Sequence, residues 1–265
     1  MPRRDATWPT IVVYLILRIL LVNGVRLLGI DEPGSWLSRF IEVALYLVIA
    51  LMIWAGRRDL GESNIDRAGV ITFLLFGTVL RTFTVAKVTP GVVLEYGVLA
   101  CASVLLAIFL TRSQAVPPGK AARTVRNILI GLLAGGIMSV VAAAPSFVTG
   151  DLRPLPPRPL VTSLATFALF FAHAMGHSAI LEEPVFRGFL LGAFRGFRWT
   201  EARALAAQAI LFWIGHLYLA QDHYLFLVVV PLAGLLFGLL TRRNRSIMPA
   251  LVAHATFNAL NVFWR

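Results

Sequence analysis

Two adjacent carboxylates, an arginine, two histidines and an amide are the polar residues most out of place in this chain. Glu182, Glu183 and Arg187 sit in Leu181-Glu182-Glu183-Pro184-Val185-Phe186-Arg187-Gly188, with apolar sequence on both sides. His216 and the pair His254 and Asn258 lie in later apolar stretches. A charge at membrane depth costs roughly 2.5–3.5 kcal/mol on insertion scales, so such residues mark a functional site by default. A carboxylate, two imidazoles and an amide brought together in an apolar interior are suited to hydrolysis. The carboxylate can take a proton from water, and the others can steady the charge that develops.

Spacing divides the two glutamates. On an α-helix Glu183 and Arg187, four residues apart, lie about 40° from one another and can pair. Glu182 points about 140° away from Arg187. Arg187 is therefore expected to neutralise and orient Glu183, leaving Glu182 to face a cavity and act as general base. Burial and a nearby guanidinium act in opposite directions on a carboxylate's proton affinity, which is one way to tune a base for neutral pH. The bland reading of the same triad is an ion-pair cluster that holds helices together. Phe212 precedes His216 by one turn, on the same face of the seventh apolar segment, and a lone histidine there can equally be a core residue. His254 and Asn258, also four apart, share a face. They could donate hydrogen bonds to an oxyanion, or merely bond between helices.

These residues must be held by a helical membrane protein. The chain has 265 residues, of which 58% are hydrophobic, and its mean hydropathy is +0.79. Soluble domains are about 45–50% apolar. Nine apolar segments can be read, at about 8–30, 36–56, 68–86, 91–111, 127–149, 160–181, 204–220, 224–240 and 247–264. The expectation is an all-α, polytopic transmembrane bundle of about 8–9 spans with a polar intramembrane cavity. Residues 182–197 extend the sixth segment, and Pro184 should kink it or make it partly re-entrant. The first segment is too long for a cleavable signal and carries Arg18 and Arg26.

Charge supports this layout. The net charge is +11, and all but Lys87 and Lys120 of the 24 basic residues are arginine. With the N-terminus in the cytoplasm, the inner segments collect most of them: Arg3 and Arg4; Arg57, Arg58 and Arg67; Arg112, Lys120, Arg123 and Arg126; Arg195, Arg198 and Arg203; Arg242, Arg243 and Arg245. The outer segments keep only Arg39, Lys87, Arg153, Arg158 and Arg265. This is the positive-inside pattern of an integral multi-pass protein, N-terminus in and C-terminus out. It accounts for the basic balance without nucleic acid, which is not expected as a partner. The arginine-rich usage suggests a bacterium, hence its inner membrane. The proline-rich stretch 151–159 is an outer loop. The Arg112–Arg126 loop, with Pro117-Pro118-Gly119, separates an N-terminal helical region, 1–120, from a catalytic bundle, 121–265. The single cysteine, Cys101, excludes an internal disulfide.

The order Glu-Glu-x-x-x-Arg (Glu182, Glu183, Arg187), Phe-x-x-x-His (Phe212, His216) and His-x-x-x-Asn (His254, Asn258) resembles the CAAX-protease and bacteriocin-processing family of intramembrane endopeptidases, the Ras-converting-enzyme-like or Abi group. Phe186-Arg187-Gly188, His216-Leu217-Tyr218 and the Arg-Ser-Ile-Met-Pro-Ala before Leu251 fit as well. The resemblance covers about 160–262. It implies hydrolysis of a peptide bond in a membrane-associated protein or peptide, by a water held between Glu182 and His216. It implies an oxyanion site of His254 and Asn258, with Glu183, Arg187 and Phe212 in support.

No cofactor is expected. Zinc could be held by one carboxylate and two histidines, but Asn258 is a poor zinc ligand and a good oxyanion donor, and His-Glu-x-x-His is missing. His173 and His177, four apart near Glu182, could also ligate a metal but read better as polar packing or cavity lining. Arg18, Arg26, Glu42, Arg81 and Glu95 read as snorkelling or structural pairs. Two other functions fit the same charges: a transporter or channel, or a catalytically silent immunity or scaffold protein of the same fold. Against the transporter, no second interrupted segment mirrors the one at Pro184.

Overall fold

The computed structural model describes residues 12–16, 18, 23–24, 36–55, 120–150 and 159–263. The third and fourth apolar segments, most of the proline-rich loop, Cys101, Arg26, Arg81 and Glu95 lie outside the described residues, as do the side chains of Glu42 and His177. Every regular element among the described residues is helical. We number the α-helices in chain order: α1 Trp36–Ala55, α2 Lys120–Thr149, α3 Leu160–Ala174, α4 Ile180–Glu183, α5 Leu191–Gly196, α6 Glu201–Ile214, α7 Val230–Asn244 and α8 Met248–Asn261. Residues 12–16 form a further helical stretch.

Two helical stretches among the described residues are long and apolar enough to cross a membrane. They are Ala122–Thr149, with 28 residues, and Leu225–Asn244, with 20. On α2, Leu129, Leu133, Ile137 and Val140 recur at helical spacing and are exposed, an apolar stripe suited to lipid. α6 and α8 have only 14 residues each, short of the roughly 20 that cross the hydrocarbon core. In the sixth segment the chain stays helical from Leu160 to Gly196. The irregularity expected at Pro184 takes the form of π-turns within a continuous helical run. Two π-helical turns, Met175–Ala179 and Pro184–Leu190, flank α4. Pro184 has no N–H to give, and the wider hydrogen bonding of a π-turn accommodates the gap without breaking the helix.

α8 is the central element. It packs along α2 and also against α3 and α7, while α6 packs on α7. Gly131 and Gly135 of α2 make the closest approach possible. A Cβ on Gly131 would lie 2.6 Å from the Cβ of Val252, and one on Gly135 would collide with Ala253 and Thr256. This is the close packing that glycines four apart permit between membrane helices. The N-terminal residues share the core. Tyr14, Ile49 and Met52 belong to the same buried cluster as Phe186, Phe189 and Leu251.

One end of the bundle is basic. Arg195 and Arg242 both reach Glu201, at 2.9 and 3.2 Å, and Arg123 donates to the carbonyl of Asn244 at 2.8 Å. The starts of α2 and α6 and the ends of α5 and α7 therefore meet at that end. α6 begins there with Thr200 as N-cap, its hydroxyl accepting from the amide of Arg203 at 3.3 Å. From that end α8 runs inward to carry His254 and Asn258 toward α4, and α6 leads to the turn that carries His216.

Candidate active site

α4 is four residues long and wholly buried, and it carries both glutamates. Consecutive helical positions point about 100° apart, so Glu182 and Glu183 leave the helix in different directions. Glu183 turns to a sealed pocket. Its Oε2 lies 3.2 Å from Nε of Arg187, and its Oε1 takes the Nδ1 proton of His254 at 2.7 Å. Arg187 is fully buried. Its guanidinium lies over the ring of Phe212 at 4.1 Å, with Phe237 at 5.5 Å and Phe186 at 5.7 Å. Three aromatic faces around a desolvated guanidinium supply cation–π attraction in place of water. The pairing of Glu183 with Arg187 is the one expected from their spacing.

Glu182 lines a cavity of about 380 Å³ shared by Ser178, Phe212, His216, His254 and Asn258. It is not left unpaired, as the spacing argument implied. Arg18, from the N-terminal helical stretch, forms an ion pair with Oε1 through Nη2. The sequence showed one arginine for two carboxylates. The fold supplies a second, so each buried carboxylate has its own guanidinium, and breaking such a pair would leave an uncompensated charge. Arg18 sits well below the surface rather than snorkelling: it is 5% exposed. Its isolation in an apolar run was the only signal for it, and nothing in the sequence names its partner.

The other oxygen of Glu182, Oε2, is buried with no hydrogen-bond partner among the described residues. It lies 3.6 Å from Nε2 of His216 and 3.9 Å from Nε2 of His254. The tautomers follow from the other ring nitrogens. Nδ1 of His216 is 2.7 Å from the carbonyl of Phe212. A carbonyl only accepts, so that nitrogen carries the hydrogen. Nδ1 of His254 donates to Glu183 in the same way. In the neutral rings both Nε2 atoms are then bare. Three acceptors face one another and cannot bond directly, but a water among them can donate to two.

His216 is not on the seventh-segment helix, where its spacing from Phe212 placed it. α6 ends at Ile214, and His216 follows with φ −114° and ψ 20°, just before a 3₁₀ turn at Leu217–Leu219. Gly215 closes the helix, and an N-terminal side chain secures its end. Asn23 donates to the carbonyl of Ile214 at 3.2 Å and accepts from the amide of Tyr218 at 3.3 Å. These are among the groups a helix end leaves unsatisfied. Phe212 still lies under His216, with ring centroids 4.4 Å apart.

Asn258 faces the cavity one turn beyond His254. Its amide nitrogen donates to Ser178 Oγ at 2.7 Å, and Ser178 in turn donates to the carbonyl of Ala174 at 3.1 Å. An amide nitrogen carries two hydrogens, so this bond orients Asn258 and leaves a second donor. Ser178 had no motif to reveal it. His173 lies on α3, partly buried, and is not among the residues lining the cavity. The described residues contain no group of three or more His, Cys, Asp or Glu side chains arranged to hold a metal.

Residues 161–260 match the family model for type II CAAX prenyl endopeptidase Rce1-like proteins. The matched segment holds Glu182, Glu183, Arg187, Phe212, His216, His254 and Asn258, and leaves Arg18 and Asn23 outside it. No match was found among curated proteins or among solved structures.

Proposed function

We propose that this protein is an intramembrane endopeptidase that hydrolyses a peptide bond in a membrane-associated protein or peptide, with Glu182 as general base. The observation that carries this reading is the bare Oε2 of Glu182, 3.6 Å and 3.9 Å from two imidazole nitrogens at the wall of a cavity. The family match over residues 161–260 supports it, because that family is one of membrane peptide hydrolases.

In the proposed reaction a water sits among Glu182, His216 and His254. Glu182 takes one of its protons as the water oxygen bonds to the scissile carbonyl carbon. The negative charge that forms on the carbonyl oxygen is met by Asn258, whose free N–H faces the cavity, and by His254 when its Nε2 is protonated. Glu183 accepts from Nδ1 and so holds the ring with Nε2 toward Glu182, as a carboxylate orients the histidine of hydrolytic triads. The carbon–nitrogen bond then breaks, and the proton taken from water passes to the leaving amine. No metal enters this scheme. The substrate lies in or at the bilayer, and the protein is a multi-pass one of the bacterial inner membrane with its N-terminus inside.

The test uses purified full-length protein in detergent and a library of membrane-anchored peptides. Cleavage that Glu182→Gln abolishes and that chelators leave intact is the expected result. Zinc whose removal stops turnover and whose return restores it would replace the metal-free water. Ion flux in liposomes without any cleavage would select a transporter, and neither activity would leave a silent scaffold.

A further inference from the structure

We propose that Arg18 is a positioning residue of the hydrolytic centre, supplied by the N-terminal helical stretch. It grips one oxygen of Glu182 so that the other faces the histidines. This rests on the reading of Glu182 as the base.

Three described N-terminal residues reach the site. Tyr14 is fully buried and meets Phe186 edge to face, with ring centroids 6.0 Å apart. Arg18, one turn on, pairs with Glu182. It also lies beside Gly215, where an added Cβ would be 3.6 Å from its Nε. Asn23 braces the turn that carries His216, through Ile214 and Tyr218. Arg18 and Asn23 therefore touch the base and the turn of the histidine facing it.

A carboxylate has two equivalent oxygens and a soft terminal torsion. Unrestrained, Glu182 could turn either oxygen toward the histidines or toward Arg187. The Arg18 pair uses Oε1 and leaves Oε2 alone at the cavity wall. It also supplies a positive charge for Glu182, while Arg187 is engaged with Glu183. Arg18 lies outside residues 161–260, so the matched segment alone lacks the group that fixes its base.

The test compares Arg18→Met, Arg18→Lys, Glu182→Gln and the double variant Arg18→Met/Glu182→Gln in the full chain. Turnover of a membrane-anchored peptide that the wild type cleaves is measured, with Tm in the same detergent. Arg18→Met should lower kcat on the order of 100-fold, the cost of a misplaced catalytic group. KM should stay within about threefold, because the residue does not touch substrate. Arg18→Lys should recover much of the lost kcat, since it keeps the charge. Glu182→Gln added to Arg18→Met should raise Tm, because the carboxylate is no longer buried without its partner. An Arg18→Met enzyme whose kcat is unchanged, or a lysine variant no better than methionine, overturns the role of Arg18. If Arg18→Met does not fold, Arg18→Gln takes its place: a lower kcat at constant KM that Arg18→Lys largely restores supports positioning, and wild-type kinetics in Arg18→Gln overturn it. Turnover that survives Glu182→Gln overturns the base itself, and the role of Arg18 with it. Turnover lost in Glu182→Gln but kept in Arg18→Met overturns only the inference about Arg18.

Discussion

The two sides of α4 differ sharply, although the glutamates that define them are adjacent in sequence. On the Glu183 side everything is closed. The carboxylate is fully buried, both its oxygens face cations or proton donors, and the arginine it serves is wrapped by three aromatic rings. On the Glu182 side one oxygen is equally committed, to Arg18, but the other ends at a cavity with two imidazoles across from it. A rotation of about 100° along a helix thus separates a carboxylate enclosed by its partners from one with an oxygen at a cavity wall. The sealed side also serves the open one, because Glu183 fixes the ring of His254 whose far nitrogen faces Glu182.

The largest effect should come from the open side. Glu182→Gln keeps the shape but cannot take a proton from water. Turnover should fall by about 10²–10⁴-fold while the protein remains folded and in the membrane fraction. Wild-type turnover in this variant would erase the distinction between the two sides.

Glu183→Gln should fail differently. Removing one partner of a buried ion pair costs on the order of 3–5 kcal/mol, and this change also takes the carboxylate from behind His254. The variant should lose thermal stability along with activity, and Arg187→Ala should resemble it. Turnover and melting temperature measured together make the comparison. A stable but inactive Glu183→Gln beside an active Glu182→Gln would reverse the assignment.

Phe212→Leu sharpens the boundary between the two sides. The ring lies between the Arg187 guanidinium, at 4.1 Å, and the His216 ring, at 4.4 Å. Leucine keeps apolar bulk but removes the π-face, worth about 0.5–2 kcal/mol at a desolvated site. A modest fall in both Tm and kcat is expected. A change in kcat alone would place Phe212 wholly on the reactive side.

The smallest effect should follow Ser178→Ala. It removes the acceptor that orients Asn258, a single hydrogen bond of about 0.5–1.5 kcal/mol. Turnover should drop by roughly two- to tenfold with little change in Tm. An unchanged kcat would mean that Asn258 needs no such support.

Much of this was legible in order along the chain. The apolar runs dictate helices, because backbone polar groups in lipid must be satisfied within the segment. The fourfold spacings of Glu183 with Arg187 and of His254 with Asn258 put each pair on one helix face, and both pairs keep that relation. The same spacing misplaced His216, because periodicity does not show where a helix stops. Gly215 and the side chain of Asn23 decide that. Pro184 signals an irregularity in the sixth segment, but only the structure shows that it is a π-turn within a continuous helical run.

What the sequence determined by itself is local: helical segments, their lipid-compatible composition, and which residues on one helix share a face. Those follow from periodicity and transfer free energy, which need no neighbour. What only the tertiary structure decided is pairing across distance. Arg18 stands 164 positions from Glu182, and 71 separate Glu183 from His254. Such partners leave no periodic trace, because an ion pair needs only that two side chains arrive together, and their arrival depends on how every helix between them packs.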